Sequence, residues 1–230
     1  FVDFKYPGHE NDELVDSELG MIPEGWVQKE ANDLFEINIG KTPPRKEPQW
    51  FNKENLGVKW ISIKDMGASN CYVLQTNENI TNDGIDRFNV KVVPKNTVIM
   101  SFKLTVGKVA ITTENMATNE AIAHFNIRDH DLIFVEFIFC YLQNFNFQLL
   151  GNTSSIGNAI NSQIVKSMPI LLPKSDVVRK FQKYVVPTFK QILLLIKKNN
   201  TLRQTRDLLL PKLISGKVDV SDLDIEIGET

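Results

Sequence analysis

Cysteine is nearly absent from this chain, which holds two in 230 residues, Cys71 and Cys140. Two thiols so far apart make neither a disulfide framework nor a Cys-rich zinc cluster, and they point to a reducing cytoplasm and to roles as core residues. Histidine is equally scarce: His9 falls in an N-terminal arm, His124 in a strand and His130 in a turn, so no metal-ligand spacing arises. No run approaches the roughly 20 consecutive apolar residues that span a bilayer. The N-terminus lacks the basic-then-apolar layout of a signal peptide, and it begins at Phe1 rather than Met, as a fragment or processed product would. Gly-x-Gly-x-x-Gly, a phosphate loop closing on Gly-Lys-Ser/Thr, an Asn-Pro-Pro-aromatic run and His-Glu-x-x-His are all missing. Gly40-Lys41-Thr42 mimics the tail of a phosphate loop, but Pro43-Pro44 would stop the helix whose N-terminus must hold phosphate. Carboxylates are plentiful yet scattered, which leaves a nuclease-like acidic pair as a minor alternative.

An excess of one charge is missing too. The net charge of −2 argues at first against a nucleic-acid partner, but the charge is unevenly spread. Phe1–Val27 holds one Lys against seven acidic residues, and Gln28–Lys174 is near neutral with fifteen basic and fourteen acidic. Ser175–Ser215 carries nine Lys/Arg against two Asp, and Gly216–Thr230 returns to one Lys against five acidic residues. A basic stretch therefore sits between acidic ends. A solvated helix face is the plain reading of such a run, and a partner surface is the sharper one.

What is present is a 42% hydrophobic content in a chain long enough to bury a real core. Residues 1–25, rich in Gly, Pro and acids, read as a linker or extended arm. Residues 26–173 alternate β-rich runs with turns, at Val58–Ile63, Val90–Val93, Thr97–Phe102, Val106–Thr112 and Ala121–Ile127, which predicts a mixed sheet. Asp131–Leu150 spaces Phe134, Phe137, Ile138, Tyr141, Leu142 and Phe145 as an amphipathic helix buried on that sheet. Residues 174–216 place Val178, Phe181, Val185, Ile192, Leu195, Leu202, Leu209 and Leu213 near coiled-coil spacing. A long helix is expected there, with Ser175 or Asp176 as N-cap and Ser215-Gly216 at its end. Pro187 should kink it or split it in two. Asn199 lies on the apolar stripe, where it either fixes the register of a helix pair or marks a fraying point. Residues 217–230 form an acidic tail. The fold class is thus α+β: a mixed-sheet domain followed by a long coiled-coil-forming helix.

Side chains able to touch a polyanion gather in the turns. Lys41, Thr42, Arg45 and Lys46 form a proline-stiffened loop, and Lys64, Lys103, Thr105 and Lys108 sit at strand ends. Thr153, Ser154, Ser155 and Asn158 follow Gly151 in a polar segment whose glycines permit close backbone approach. Taken singly, each is as consistent with an ordinary polar turn.

Several segments, in order, resemble Type I restriction-modification specificity subunits. Asp16-Ser17-Glu18-Leu19-Gly20 with Ile22-Pro23-Glu24-Gly25-Trp26 is similar to the start of a target recognition domain. Gly40-Lys41-Thr42-Pro43, Val58-Lys59-Trp60-Ile61, Ile80-Thr81 to Gly84-Ile85, Pro94 to Ser101, Val106-Gly107-Lys108-Val109-Ala110 and Ala117-Thr118-Asn119-Glu120-Ala121 continue the likeness. Gly151-Asn152-Thr153-Ser154-Ser155, Pro169-Ile170-Leu171-Leu172-Pro173 and Leu209 to Lys217 complete it, and Phe1-Val2-Asp3-Phe4 resembles the region joining two halves in full-length members. The chain departs from the family at Ser175-Asp176, where Glu-Gln is frequent, and at Asn119-Glu120, where Asn-Gln is common.

The resemblance implies one target recognition domain and one helical spacer, reading part of a bipartite site in double-stranded DNA without catalysis. It adds Asn119 to the candidate DNA contacts. It implies partners: methyltransferase subunits using S-adenosylmethionine, and a restriction subunit translocating with ATP and Mg²⁺, with no cofactor held by this chain. The stripe Val185, Ile192, Leu195, Asn199, Leu202 and Leu209 lacks an obvious partner in the chain, which predicts a homodimer through the long helix. An autonomous DNA-binding or modified-base-reading module, or a small enzyme of unrecognised type, are the alternatives.

Overall fold

The computed structural model describes residues 11–17, 19–54, 56–69, 71–150 and 160–218. The chain divides into two compact units, Phe1–Val186 and Pro187–Thr230.

In the first unit, β1 (Leu14–Val15) pairs with β2 (Ile22–Pro23), and β3 (Val27–Glu30) leads into the short α1 (Ala31–Leu34) and β4 (Phe35–Ile39). Residues 11–25 are therefore not simply the expected arm. Ser17 and Gly20 exchange backbone hydrogen bonds at 2.9 and 3.0 Å and the Glu24 N–H donates to the Glu13 carbonyl at 2.8 Å, closing a small hairpin. Then come β5 (Phe51–Asn52), β6 (Val58–Ile61), α2 (Ile63–Ala68), β7 (Tyr72–Val73), β8 (Glu78–Ile80), α3 (Asn82–Phe88) and β9 (Val92–Val93). They are followed by β10 (Val98–Ser101), β11 (Val109–Thr112), β12 (Met116–Thr118), β13 (Ile122–Ile127), α4 (Val135–Asn144), α5 (Ser162–Lys166) and β14 (Pro169–Leu172).

Two five-stranded sheets result, in the orders β4-β13-β10-β11-β7 and β5-β8-β6-β12-β9, while β14 pairs with β3. Each is mixed: β11 with β7 and β6 with β12 run parallel, and the remaining pairs are antiparallel. Ile61, Val93 and Met116 from one sheet meet Val73, Ile99, Ala110 and Ile122 from the other in a fully buried cluster between them. The outer face of the second sheet buries Trp60, Ile80 and Ala117 under Ile85 and Phe88 of α3. Helix α4 packs on β10 and β11. Because both faces are covered, Val98–Ser101 and Val109–Thr112 are buried at every position, and each opens on three consecutive apolar residues instead of alternating.

Helix α4 is shorter than its aromatic spacing predicts, with a 3-10 turn at Phe147–Leu150 taking up the remainder. Phe134 and Phe137 lie within 6.0 and 6.2 Å of the Phe181 ring, so the opening turns of the next helix belong to the same core, where Val177 and Val178 are buried.

That helix, α6 (Ser175–Ile214), is one 40-residue element, about 60 Å long at 1.5 Å per residue. Ser175 is its first helical residue and not the cap in front of it. Neither Pro187 nor Pro211 splits it, because each removes one donor and crowds one preceding turn while the rest of the long ladder remains. The boundary between the two compact units nevertheless falls at Pro187. The end is as expected: Gly216 takes φ +67, its N–H bonds the Leu213 carbonyl at 3.1 Å and the Lys217 N–H bonds the Lys212 carbonyl at 2.9 Å, a Schellman cap. Among the described residues no helix is long and apolar enough to cross a membrane.

Candidate nucleic-acid interface

Four loops are laced together by backbone hydrogen bonds at one end of the two sheets. Lys41 N–H donates to the Thr118 carbonyl at 2.9 Å, Asn119 N–H to Ile61 at 3.0 Å, Phe102 N–H to Ala121 at 2.9 Å and Gly40 N–H to Ile122 at 3.1 Å. The segment after β4, the β6–α2 junction, the β10–β11 turn and the β12–β13 turn thus share one surface. The approach is so close that a Cβ on Gly40 would collide with Thr118 Oγ1 and with the carbonyl oxygens of Thr118 and Asn119.

The structure sorts the expected contacts along this surface. Lys41 and Lys46 are exposed in the loop after β4, Lys64 is exposed on the first turn of α2, and Lys103 and Thr105 are exposed in the β10–β11 turn. Lys108 is half-buried, and its Nζ passes so near α2 that a Cβ on Gly67 would stand 2.6 Å away. The Thr42 hydroxyl donates to the Glu120 carboxylate across the loops.

Arg45 is exposed and braced against its neighbours. Its guanidinium lies 4.0 Å from the Phe51 ring centre and 4.5 Å from that of Trp60, and it donates to Glu78 at 2.7 Å. Trp60 in turn donates from Nε1 to the Lys41 carbonyl at 3.4 Å. Asn119 is also occupied locally, its Oδ1 accepting the Ala121 N–H at 3.1 Å. Thr153, Ser154, Ser155 and Asn158 lie outside the described residues. Asn161, at the end of the same polar segment, caps α5 by accepting the N–H groups of Gln163 and Ile164.

Beneath the surface, two polar groups fix the loops. Asp65 is buried and accepts from the Ser62 N–H at 2.8 Å, the Ser62 hydroxyl at 2.6 Å and the Asn77 N–H at 3.0 Å, which ties α2 to the chain ahead of β8. His124 on β13 is 1% exposed and 2.7 Å from Thr118 Oγ1. Since the Thr118 hydroxyl donates to the Asn119 carbonyl at 3.2 Å, the imidazole Nε2–H is the donor to Thr118. Burial pulls this imidazole from 6.5 down to about 3, so it is neutral at physiological pH.

Sequence reasoning missed Leu104, the most exposed large apolar residue among those described in the domain, at 95%. Its polar neighbours Lys103 and Thr105 drew attention away from it, yet a leucine inside a cationic turn ahead of Gly107 is itself a legible oddity.

Elsewhere, an apolar hollow of about 250 Å³ is walled by Trp26, Phe137, Tyr141, Phe145, Leu171 and Phe181, with no charged side chain among the described residues of its lining. Among the described residues no group of three His, Cys, Asp or Glu could hold a metal ion.

An α+β domain that presents cationic loops, followed by a long amphipathic helix, defines a two-part class of protein. The chain belongs to the Type I restriction modification DNA specificity domain family, whose model matches residues 23–205. It is 30% identical over 201 residues to the Type I restriction enzyme HindI specificity subunit of Haemophilus influenzae, covering 86% of this chain and 42% of that one. Its fold is like that of the HsdS subunit from Thermoanaerobacter tengcongensis, with a TM-score of 0.56 at 18% identity, over 86% of this chain and 46% of that one. A chain from a structure of a type I R-M system, solved for its complex assembly and conformational transition, matches equally, with a TM-score of 0.56 over 83% of this chain. The chain spans less than half the length of these relatives.

Proposed function

We propose that the Phe1–Val186 unit reads one part of a bipartite double-stranded DNA site through the laced loop surface, as the specificity component of a Type I restriction-modification enzyme. The observation that carries this is the gathering of exposed Lys41, Lys46, Lys64 and Lys103 on three loops bonded to a common fourth, the β12–β13 turn, in a chain belonging to this family. In this reading these lysines, with Lys108, meet phosphates, and Thr42 and Thr105 share the same DNA-facing surface. Arg45 holds its loop through Phe51, Trp60 and Glu78 in place of the phosphate contact expected from sequence.

Methylation and cleavage belong to partners: methyltransferase subunits with S-adenosylmethionine, and a restriction subunit with ATP and Mg²⁺, working on DNA in the cytoplasm. The second unit supplies a pairing surface for a second copy. Leu195, Leu202 and Leu209 are exposed along its stripe and Ile192 is half-buried, with Asn199 exposed between them as a register-setting polar residue, and the half-buried Val185 precedes the unit on the same helix.

The test is selection of bound duplexes from a random pool by the chain with its methyltransferase, then titration across salt. Affinity should fall linearly with salt on logarithmic axes, Lys41→Ala should lower the slope by about one, and Arg45→Ala should leave the slope unchanged. Absence of salt-dependent, sequence-selective binding would end this reading.

A further inference from the structure

Three non-glycine residues among those described adopt positive φ: Asn89 at 48°, Asn96 at 62° and Leu104 at 62°. Asparagine tolerates this region because its short side chain bonds locally, whereas leucine has no such compensation. Leu104 combines that strained backbone with 95% exposure of a large apolar side chain. Nothing in the turn requires leucine, and glycine or asparagine would suit its backbone better.

The turn is nevertheless held firmly. Thr105 N–H donates to the Lys103 carbonyl at 2.7 Å, Gly107 N–H to the Ser101 carbonyl at 2.9 Å and Lys108 N–H to Ser101 Oγ at 3.1 Å, while the Ser101 hydroxyl donates to the Thr105 carbonyl. The Phe147 ring covers Gly107 so closely that an added Cβ would stand 2.7 Å from it. A leucine kept rigid, strained and exposed between Lys103 and Lys108 has the character of a functional outlier.

Resting on the DNA reading above, we infer that Leu104 is an apolar wedge that enters the base stack of the bound duplex while the adjacent lysines grip phosphates on either side. Apolar side chains used this way unstack a base step, and pyrimidine–purine steps unstack most readily. The wedge therefore adds a preference for a TA or CA/TG step where no hydrogen bond reads the bases.

The experiment compares the full chain with Leu104→Gly and Leu104→Asn on a duplex selected by the unaltered chain. Both variants should melt at the same temperature or higher, because the backbone strain is relieved. Both should bind about tenfold more weakly with an unchanged salt slope, since no phosphate contact is lost. Permanganate should modify a thymine at the wedged step in the unaltered complex and not in the variants. Equal affinity and equal thymine reactivity would overturn the wedge and leave the DNA reading standing. Weaker binding without a reactive thymine, reproduced by replacing thymine with uracil, would overturn insertion in favour of a methyl contact. A chain that selects no duplex would overturn both proposals together.

Discussion

Gly40 holds its place for want of space, not for backbone freedom. Its α-carbon lies against Thr118 and Asn119, and the bonds that lace Lys41 to Thr118 and Gly40 to Ile122 depend on that approach. Gly40→Ala forces the loop off the β12–β13 turn, and we expect a loss of about 2 kcal/mol, read as a melting shift of several degrees, with DNA binding reduced alongside. Unchanged melting would show that the loop relocates freely. His124 gives a second residue-scale expectation. Its folded value of about 3 lies below 6.5, so between those limits the unfolded chain binds the proton and the folded chain does not. Stability is therefore intact above pH 6.5 and falls as pH drops, by about 2 kcal/mol at pH 5 from this group alone. The difference in melting between pH 7 and pH 5 should shrink in His124→Asn; an equal difference would assign the acid sensitivity to carboxylates. At this scale the basic residues were visible in the sequence, but their employment was not. Arg45 meets Glu78, 33 positions away, and two rings brought in by β5 and β6, partners that only the assembled sheet supplies.

Elements were legible wherever one periodicity ran long enough. The β-branched runs at Val58, Thr97, Val106 and Ala121 became β6, β10, β11 and β13 with ends trimmed, and the heptad stripe became α6. The hairpin at Leu14 and Ile22, and the two-residue β7, were not legible, because two residues carry no period and pair only through partners elsewhere in the chain. Nor could the parallel pairing of β6 with β12 be read, since two helices and five strands intervene. Helix α6 carries the element-scale prediction. Leu194, Leu195, Leu202, Leu208, Leu209 and Leu210 are exposed on it, and burying one such side chain between helices is worth about 1.5–3 kcal/mol. Leu202→Asp should abolish self-association in light scattering while leaving the helical circular dichroism and the melting of the Phe1–Val186 unit intact. Persistence of the dimer would remove the heptad stripe as the pairing seam.

For the whole molecule, the even charge balance limits what electrostatics alone can do. At −2 overall, with acidic residues concentrated before Val27 and after Gly216, each chain has little long-range pull on a polyanion, so on the proposed DNA reading a second grip adds to the first. If α6 pairs with α6 of a second copy about a two-fold axis, the two reading surfaces are the same residues facing opposite strands. Both halves of the bound site must then carry the same sequence as an inverted repeat, and the rigidity of the helical pair must keep their separation constant. Duplexes selected from a random pool should therefore show one motif twice, inverted, at a single spacing, and light scattering at micromolar concentration should give twice 26.2 kDa. Leu202→Asp should lose the second motif and most of the affinity while retaining the first, because avidity disappears although each reader survives. Two unlike motifs, or one undivided motif bound by a 26.2 kDa species, would refute the symmetric pairing and leave the loop surface as the reader of a single half-site.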